Sequence, residues 1–502
     1  MSAAPPLPLI ARADAAPYRP AVTDLQGEFT YALLSDTSAR VAACLLGERP
    51  DLEEARVAFL IPPGFDHLAV QWGIWRAGGI AVPLATSHPA SELEYVIADS
   101  GASIVVGDAA SAPMLEPLAK ALGARFLTAS AALGAKGAHL PGVAEERRAM
   151  MVYTSGTTGK PRGVVVTHAN LRAQITALIE AWGWSERDRI LLVLPLHHVH
   201  GIVNVVGCSL WAGAVCEMLP KFDAEETWQR IESGRLTMFM AVPTIYRRLI
   251  AAWEEAPAER REHMSAACRG LRLMVSGSAA LPVQTLTRWR EISGHTLLER
   301  YGMTELGMVL SNPLAGERRP GFVGAPLPGV EVRLVSEKGV PVPAGAAGEI
   351  EVRGPNVFLE YWQRPDATAS AFRDGWFKTG DTAVVEEGSY RILGRSSVDI
   401  IKTGGFKVSA LEIEEELRTH PAIAECAVVG IPDEDWGERV SAAVELAPGA
   451  ELTLDALQAW SKERLAPYKV PRALCTVASL PRNAMGKVMK PEVVKLFAAP
   501  NP

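Results

Sequence analysis

The segment with the clearest chemical character runs from Met151 to Gly163 and has the sequence MVYTSGTTGKPRG. Its small and hydroxyl-bearing residues leave backbone N–H groups and side-chain oxygens accessible, which suits contacts with a chain of phosphates. It is not a P-loop, because Thr154 stands where the first Gly of that motif should be and Pro161 follows Lys160. Since proline does not suit a helix interior, the pattern favours a loop that wraps over phosphates, with a plain connecting turn as the alternative.

Composition excludes several classes of protein. The chain has 502 residues, a formal net charge of −7 and 48% hydrophobic residues, which is globular and lacks the basic stripe of most nucleic-acid-binding proteins. No run reaches the roughly 18 apolar residues that a membrane span requires, and the N-terminus lacks the features of a secretory signal. The six scattered cysteines suggest buried thiols in a reducing compartment. We therefore expect a soluble, cytoplasmic protein without a membrane span or a nucleic-acid partner, and an organelle matrix stays possible.

The elements that must position the loop alternate between strand and helix patterns. Residues 56–110 alternate apolar strand runs with helical segments, and a second run of this kind continues to about Gly324, which indicates two α/β sublobes. Short β-type runs then suggest an antiparallel sublobe, and an α+β pattern follows from Arg395. Two helices carry the capping-box spacing, at Ser91-x-x-Glu94 and Ser409-x-x-Glu412. The predicted fold class is α/β and α+β multidomain: a large N-terminal domain over residues 1–394 and a small, mobile C-terminal domain over residues 395–502.

Five motifs in a fixed order connect these domains to a known family. They are YTSGTTGKPRGVVVTHAN, ERYGMTE, GWFKTGD, GR…DIIKTGG and PRNAMGKV, and they extend over residues 151–488. Together they resemble the adenylate-forming superfamily of acyl-CoA synthetases, peptide-synthetase adenylation domains and luciferases. Within it, the segments 297–333 and 394–417 look most like malonyl-CoA synthetases. The resemblance implies that a carboxylate attacks the α-phosphorus of ATP with Mg²⁺ bound, and that the thiol of coenzyme A then displaces AMP.

The resemblance also implies which residues bind ATP. Tyr301 is expected to stack on adenine, Thr304 to bond the α-phosphate, and Glu305 to hold Mg²⁺ through a hard carboxylate oxygen. Asp381 is expected to bind both ribose hydroxyls with the assistance of Arg395. The complete predicted ATP-binding set is Thr154, Ser155, Gly156, Thr157, Thr158, Gly159, Lys160, Gly277, Ser278, Ala279, Arg300, Tyr301, Gly302, Met303, Thr304, Asp381 and Arg395.

Other residues are assigned to catalysis and to coenzyme A by the same resemblance. Lys487 is expected to bridge the carboxylate and the α-phosphate, and His198 to act as a gate between the acyl pocket and the coenzyme A tunnel. The predicted hinge residue is Ser397 or Val398, because the spacing there is one residue longer than the common pattern. The predicted catalytic set is Lys487, Thr304, Glu305 and His198, and the predicted coenzyme A channel contains Lys402, Gly404 and Gly405. The histidines 197, 198 and 200 do not have the spacing of a metal site.

The identity of the acid depends on buried cations. A dicarboxylate enzyme must neutralise a second, remote carboxylate with Arg or His, whereas a fatty-acid enzyme needs an apolar tunnel. The predicted acyl-substrate residues are His200, Ser276, Arg288 and Arg300, although Arg288 could equally be solvated on its helix. The preferred substrate is thus malonate or methylmalonate. The alternatives are a short- or medium-chain fatty acyl-CoA synthetase and a non-catalytic nucleotide-binding protein. The sequence contains no attached carrier-protein segment.

Overall fold

The computed structural model describes residues 7–137, 139–154, 160–482 and 487–497. The chain forms two compact units, and each unit is discontinuous in sequence. The first consists of Met1–Arg318, Ala325–Glu331 and Val352–Phe377, and the second of Arg319–Gly324, Val332–Glu351 and Lys378–Pro502.

A nine-stranded, mostly parallel sheet forms one half of the first unit. The parallel pairs include Met238–Ala241 with Leu273–Ser276, while the strands at both edges pair antiparallel. In spatial order the strands are Ala325–Pro326, Gly307–Ser311, Leu298–Met303, Leu273–Ser276, Met238–Ala241, Arg189–Leu192, Val215–Met218, Pro20–Asp24 and Gly27–Thr30.

A seven-stranded sheet forms the other half of the first unit. Its central strands are parallel and completely buried, as expected for a sheet with helices on both faces. In spatial order the seven strands are Glu360–Tyr361, Arg162–Thr167, Arg148–Thr154, Ile80–Pro83, Arg56–Leu60, Ile104–Gly107 and Arg125–Thr128. The short strand Phe372–Arg373 lies outside this sheet and pairs with the start of the strand Trp376–Glu386. The two predicted α/β sublobes are confirmed.

The helices of the first unit connect these strands. The bounds of its α-helices are Pro8–Ala15, Tyr31–Leu46, Phe65–Arg76, Ala90–Ser100, Ala112–Ala121, Ala129–Leu133, His168–Trp182, Cys208–Ala212, Ala224–Glu232, Pro243–Glu255, Ala258–Arg269, Val283–Ser293 and Pro365–Ala371. A π-helix, His200–Gly207, leads directly into the helix Cys208–Ala212.

The second unit contains two smaller sheets. The first has the order Glu331–Val335, Gly348–Arg353, Trp376–Glu386 and Ser389–Arg395, and its last two strands are antiparallel. The second has the order Phe406–Ser409, Ile400–Thr403, Gly437–Leu446 and Ile423–Asp433, with Ala473–Thr476 parallel to Gly437–Leu446. The helices are Ala410–Leu417, Leu454–Lys462 and Lys490–Leu496. These strands and helices confirm the predicted antiparallel sublobe and α+β tail.

The two predicted capping boxes have different outcomes. Ser409 is the N-cap of its helix, and its Oγ accepts a hydrogen bond from the Glu412 N–H at 3.2 Å, so the predicted cap is confirmed. The Glu412 carboxylate pairs with Lys469 instead of completing a capping box. The prediction at Ser91 is wrong, because the helix already begins at Ala90, directly after Pro89. Proline fixes its own φ and thereby sets the direction in which the chain enters this helix, and no side chain caps it.

Within the described ranges, no helix has both the length and the apolar composition that crossing a membrane requires. All six cysteines are free thiols, and four of them are buried.

Candidate active site

Two neighbouring strands of the nine-stranded sheet carry much of the predicted nucleotide and acyl site. Leu273–Ser276 pairs in parallel with Leu298–Met303, with Ser276 opposite Glu299. The sequence predicts a loop from Arg300 onward, because the motif directly follows the apolar run HTLLE. For residues 300–303 this prediction is wrong, because the strand continues and pairs antiparallel with Gly307–Ser311. Only Thr304 and Glu305 lie in the tight turn that follows.

Arg300 is buried, and its guanidinium has no partner in the part of the chain that the structure describes. Its side chain extends along the backbone of Gly277, where an added Cβ would lie 2.5 Å from the guanidinium carbon, so a larger residue at 277 would displace the guanidinium. The residue is 3% exposed, and none of its three guanidinium nitrogens has a hydrogen-bond partner among the described residues. Burial lowers the pKa of Arg300 to about 9, so it remains a cation at neutral pH. An unpaired buried cation is costly, which indicates that an anionic ligand completes this site.

The π-helix supplies a second polar group to the same region. His200 is buried, and its Nδ1 lies 3.2 Å from the Oγ of Ser278, while its Nε2 has no partner among the described residues. Burial and the positive charge of Arg300 hold the pKa of His200 well below 6.5, so the ring is neutral. Ser278 has a φ of +71°, a left-handed conformation that is unusual for serine and is often found at functional sites.

Asn204 was missed by the sequence analysis. It follows His200 by four residues and therefore lies on nearly the same face of the π-helix, whose hydrogen bonds connect residues five apart. It is fully buried, and neither its amide nitrogen nor its oxygen has a partner in the described part of the chain. Val199 and Val203, on the adjacent face, line a small pocket together with Thr304 and Gly307. A single polar residue inside the apolar run GIVNVVG was the signal that could have identified it.

Ser276 is a further buried polar residue of this region. It is fully buried at the end of its strand, and its Oγ has no hydrogen-bond partner among the described residues. Ala279, by contrast, is exposed beyond the strand end. The structure thus groups Ser276, Gly277 and Ser278 with Arg300 and His200.

The two other histidines of the HHVH run lie beside this group. The rings of His197 and His198 are 4.1 Å apart, and the His197 ring is 5.8 Å from that of His88. Burial lowers the pKa of His198 to about 4, so it is neutral at physiological pH. No group of His, Cys, Asp or Glu in the described ranges has the arrangement of a metal site.

Glu305, the predicted magnesium ligand, is 6% exposed. Its Oε1 accepts a hydrogen bond of 2.9 Å from the Tyr361 hydroxyl, and its carbonyl oxygen accepts one of 2.8 Å from the Phe358 N–H. The Tyr361 ring also lies 5.6 Å from the guanidinium of Arg162, which follows the Gly-rich loop. Tyr361 therefore connects the Thr304–Glu305 turn to the strand that leaves the loop. A carboxylate oxygen here fits the ligand preference of Mg²⁺.

Both ends of the Gly-rich loop are fixed by phenol groups. The Tyr153 hydroxyl donates to Asp99 Oδ2 at 2.9 Å, and the Tyr95 hydroxyl donates to the Pro161 carbonyl at 2.8 Å. Lys160 Nζ lies 5.3 Å from the centre of the Tyr95 ring. Thr154 is the last residue of its strand. The predicted phosphate contacts Ser155, Gly156, Thr157, Thr158 and Gly159 lie outside the described residues.

Arg288 does not join the other acyl-site candidates. Its guanidinium is paired with Glu254 at 2.9 Å and with Glu291 at 2.9 Å, and 41% of its side chain is exposed. Its charge is thus already neutralised in solvent, and this placement does not favour a role in the acyl pocket.

In the second unit, the predicted ribose ligands lie together on adjacent strands. Asp381 and Arg395 are opposite each other, and Arg395 Nε donates to Asp381 Oδ1 at 2.9 Å. Asp381 is 8% exposed, and its N–H donates to the Thr379 hydroxyl at 3.0 Å. The pair presents a carboxylate with a fixed orientation, which is what a bidentate contact to two vicinal hydroxyls requires.

The predicted coenzyme A residues lie on a hairpin in the same unit. Ile400–Thr403 and Phe406–Ser409 are joined by Gly404 and Gly405, both with positive φ. A Cβ on Gly404 would lie 3.0 Å from the ring of Trp436, so the backbone there is as close to the indole as it can be. Lys402 and Lys487 have exposed side chains.

Comparisons with known proteins agree with this arrangement. Residues 9–362 match the AMP-binding enzyme model, and residues 412–487 match the AMP-binding enzyme C-terminal domain. The chain is 47% identical to the mitochondrial malonate–CoA ligase ACSF3 of Xenopus laevis, over 98% of this chain and 92% of that protein. It is 46% identical to the human protein of the same name, over 98% and 92% of the two chains. The crystal structure of ATP-bound MatB from Rhodopseudomonas palustris superimposes with a TM-score of 0.90 at 36% identity, over 98% of this chain and 99% of that one.

Proposed function

Because the chain belongs to the AMP-binding enzyme family, we propose that it is an ATP-dependent acid–CoA ligase whose acid is malonate or a methylated malonate. Adenylation joins a carboxylate oxygen of the acid to the α-phosphorus of ATP and releases pyrophosphate. The thiol of coenzyme A then attacks the acyl carbon, and AMP leaves with the carboxylate oxygen. The malonate–CoA ligases among the relatives support this reaction and this acid.

The single observation that carries the choice of acid is the unpaired guanidinium of Arg300. A dicarboxylate retains one negative charge after the other carboxylate has reacted, and that charge needs a buried cation. A guanidinium can bind a carboxylate through two parallel hydrogen bonds, and each charge-assisted contact contributes about 1.5–3 kcal/mol. His200 Nε2 and Ser276 Oγ are further groups without a protein partner in the described part of the chain. An aliphatic acid would leave all of them unsatisfied.

The remaining roles stay predictions. Thr304 contacts the α-phosphate, and the loop of residues 154–160 covers the leaving pyrophosphate. Asp381 and Arg395 bind the ribose, and Lys487 brings a positive charge to the reacting oxygens, where negative charge accumulates. Glu305 would hold Mg²⁺, which neutralises phosphate charge when bound. His198 gates the path to coenzyme A, and Lys402, Gly404 and Gly405 line it. The boundary between residues 394 and 395 and a mobile C-terminal domain belong to the same proposal.

The location and partners of the protein are part of this proposal. We infer a reducing compartment, either the cytoplasm or an organelle matrix, from the free thiols. The relatives include proteins named as mitochondrial. Small molecules, namely the acid, ATP and coenzyme A, are the expected partners.

A CoA-ligation assay tests the proposal. Malonate, methylmalonate, acetate, octanoate and isovalerate are compared as acids, with AMP and acyl-CoA both measured. Isovalerate replaces one carboxylate of malonate by an uncharged group of the same shape. We expect malonate or methylmalonate to be preferred over isovalerate by at least about 100-fold, the effect of two charge-assisted hydrogen bonds. A preference for octanoate would support the fatty-acid alternative, and no AMP with any acid would support the non-catalytic one.

A further inference from the structure

Six charged side chains of the second unit alternate in sign along one continuous chain of ion pairs. Successive nitrogen–oxygen distances are 2.6, 2.8, 3.5, 2.9 and 3.4 Å. In order, the residues are Asp399, Lys490, Glu414, Arg418, Glu425 and Arg482.

Lys490 occupies the most enclosed position of a cation in this chain. Its side chain is 11% exposed, and its Nζ lies between Asp399 Oδ1 and Glu414 Oε1. Both carboxylates are fixed by backbone groups, since Asp399 Oδ2 accepts from the Arg395 N–H at 2.9 Å and Glu414 Oε1 accepts from the Val428 N–H at 2.8 Å. The two carboxylates outweigh desolvation and raise the pKa of Lys490. Its position is therefore defined jointly by its own helix, by the segment that contains Asp399 and by the helix that contains Glu414.

The first and the last cation of this chain of ion pairs, Lys490 and Arg482, flank Lys487 in sequence. Arg482 and Val488 form an isolated antiparallel bridge, and the Met489 N–H donates to the Pro481 carbonyl at 2.8 Å. Arg482 is fixed on one side of that bridge by Glu425, and Lys490 is fixed on the other by Asp399 and Glu414. In sequence, Lys487 thus lies between two residues whose positions are defined by ion pairs.

The other end of the chain lies at the junction predicted to contain the hinge. Asp399 directly follows Val398. Its N–H donates to the Arg395 carbonyl at 2.8 Å, and its own carbonyl accepts from the Ala410 N–H at 2.7 Å. A movement of this junction therefore displaces one of the two carboxylates that hold Lys490.

We propose that Lys490 is a positioning residue for adenylation: its ion pairs to Asp399 and Glu414 hold the segment of Lys487 in a fixed orientation relative to the junction. The inference rests on the proposed role of Lys487, but not on the identity of the acid. An apolar side chain would fill the same volume without a preferred direction, whereas ion pairs to two carboxylates that are themselves held by backbone N–H groups define one geometry.

The test compares both half-reactions in Lys490→Met. Malonate-dependent ATP–pyrophosphate exchange measures adenylation, and the reaction of supplied malonyl-adenylate with coenzyme A measures thioester formation. We expect exchange to fall at least about tenfold, because misplacing a catalytic group by about 1 Å is costly, and thioester formation to change less than about threefold. Lys490→Arg should restore part of the exchange rate. Lys495→Met is the matched control, since Lys495 lies on the same helix with 69% of its side chain exposed, and it should leave both rates unchanged.

A double variant separates positioning from general damage. If Lys490 acts through Lys487, adding Lys490→Met to Lys487→Ala should lower exchange by less than about twofold, because interacting residues are not additive. An equal loss in both half-reactions, or full additivity, would overturn the proposal. Asp399→Asn, which keeps the shape of the carboxylate, provides the same comparison if Lys490→Met does not fold.

Different results would disprove the role of Lys487 and the choice of malonate as the acid. A normal exchange rate in Lys487→Ala removes the role of Lys487, and with it this proposal. If the wild type exchanges only with another acid, the choice of malonate fails, and the same variants are compared with that acid. No exchange with any acid overturns both proposals.

Discussion

Arg300 and Lys490 are two cations with little exposure to solvent and with opposite surroundings. The guanidinium of Arg300 has no hydrogen-bond partner among the described residues, whereas the ammonium of Lys490 lies between two carboxylates at 2.6 and 2.8 Å. The first arrangement is incomplete without an anion, and the second is complete within the protein. Burial of a charge alone therefore does not identify a binding site, whereas the absence of a counter-charge among the described residues does.

Removing the charge of Lys490 and removing that of Arg300 should change the free energy of unfolding in different directions. This is the largest effect that we expect. Lys490→Met leaves the half-buried carboxylate of Asp399 without its ion pair and the buried carboxylate of Glu414 with only Arg418, and should lower the free energy of unfolding by about 3 kcal/mol. Arg300→Met removes an unpaired charge and should leave that free energy unchanged or raise it by about 1 kcal/mol. Urea unfolding, followed by hydrogen exchange of peptides from each unit, measures both changes. Destabilisation by Arg300→Met comparable to that of Lys490→Met would end the distinction.

The second prediction concerns activity with malonate. Arg300→Met should lower kcat/KM for malonate by at least about 100-fold, because two charge-assisted hydrogen bonds to the spare carboxylate are lost. Activity with isovalerate should fall less than about threefold. Steady-state acyl-CoA formation gives both values, with Arg290→Met as the control on an exposed arginine. Arg288→Met tests the competing arginine, and a larger loss there than in Arg300→Met would move the spare carboxylate to that helix.

Lys487 adds an exposed cation to the comparison. If its charge is used only in the transition state, Lys487→Ala should slow ATP–pyrophosphate exchange at least about tenfold, since one charge-assisted contact contributes about 1.5–3 kcal/mol. Its side chain is exposed, so the free energy of unfolding should not change by more than about 0.5 kcal/mol. Exchange kinetics and urea unfolding of the same variant give the two values. An unchanged exchange rate contradicts the assignment.

The smallest expected effect is the pH dependence of the free energy of unfolding that the buried, neutral histidines cause. Burial lowers the pKa of His198 to about 4 and that of His168 to about 3. The unfolded histidines take up a proton near pH 6.5, so the unfolded state binds more protons as the pH falls. Each histidine should therefore remove about 1 kcal/mol of stability between pH 6.5 and 5.5. Urea unfolding at these pH values measures the slope, and His168→Gln should reduce it. An unchanged slope in that variant would contradict the neutral state of His168.

The sequence was sufficient for the fold class because periodicity and motif order reflect local chemistry. Ser409 and Ser91 show the limit of local rules, since both have the capping spacing and only Ser409 is an N-cap. Whether Ser91 could cap depended on Pro89, which is the N-cap and starts the helix two residues earlier than a cap at Ser91 would. Similarly, the strand through Arg300 extends to Met303 because of its partner strand, which a single-segment pattern does not contain.

For the candidate site, residue type was predictable and surroundings were not. Arg288 and Arg300 were equally plausible cations in the sequence, and only tertiary packing distinguishes an exposed, paired arginine from a buried, unpaired one. Tyr361 could not be connected with Glu305, because the pair is distant in sequence and joined by a single hydrogen bond. Asn204 was detectable in principle as a polar residue in an apolar run.

The interleaved order of the two units has a consequence for synthesis on the ribosome. The first unit is not finished until Phe377 has been made, and two pieces of the second unit have by then already been synthesised. Glu305 must also wait for Tyr361 before its side chain is hydrogen-bonded to that hydroxyl. A truncation after Arg318 would therefore release a nascent chain that lacks an edge strand of each large sheet, Ala325–Pro326 and Glu360–Tyr361. Unpaired strand edges of this kind promote aggregation, so fragments for expression should end no earlier than Phe377.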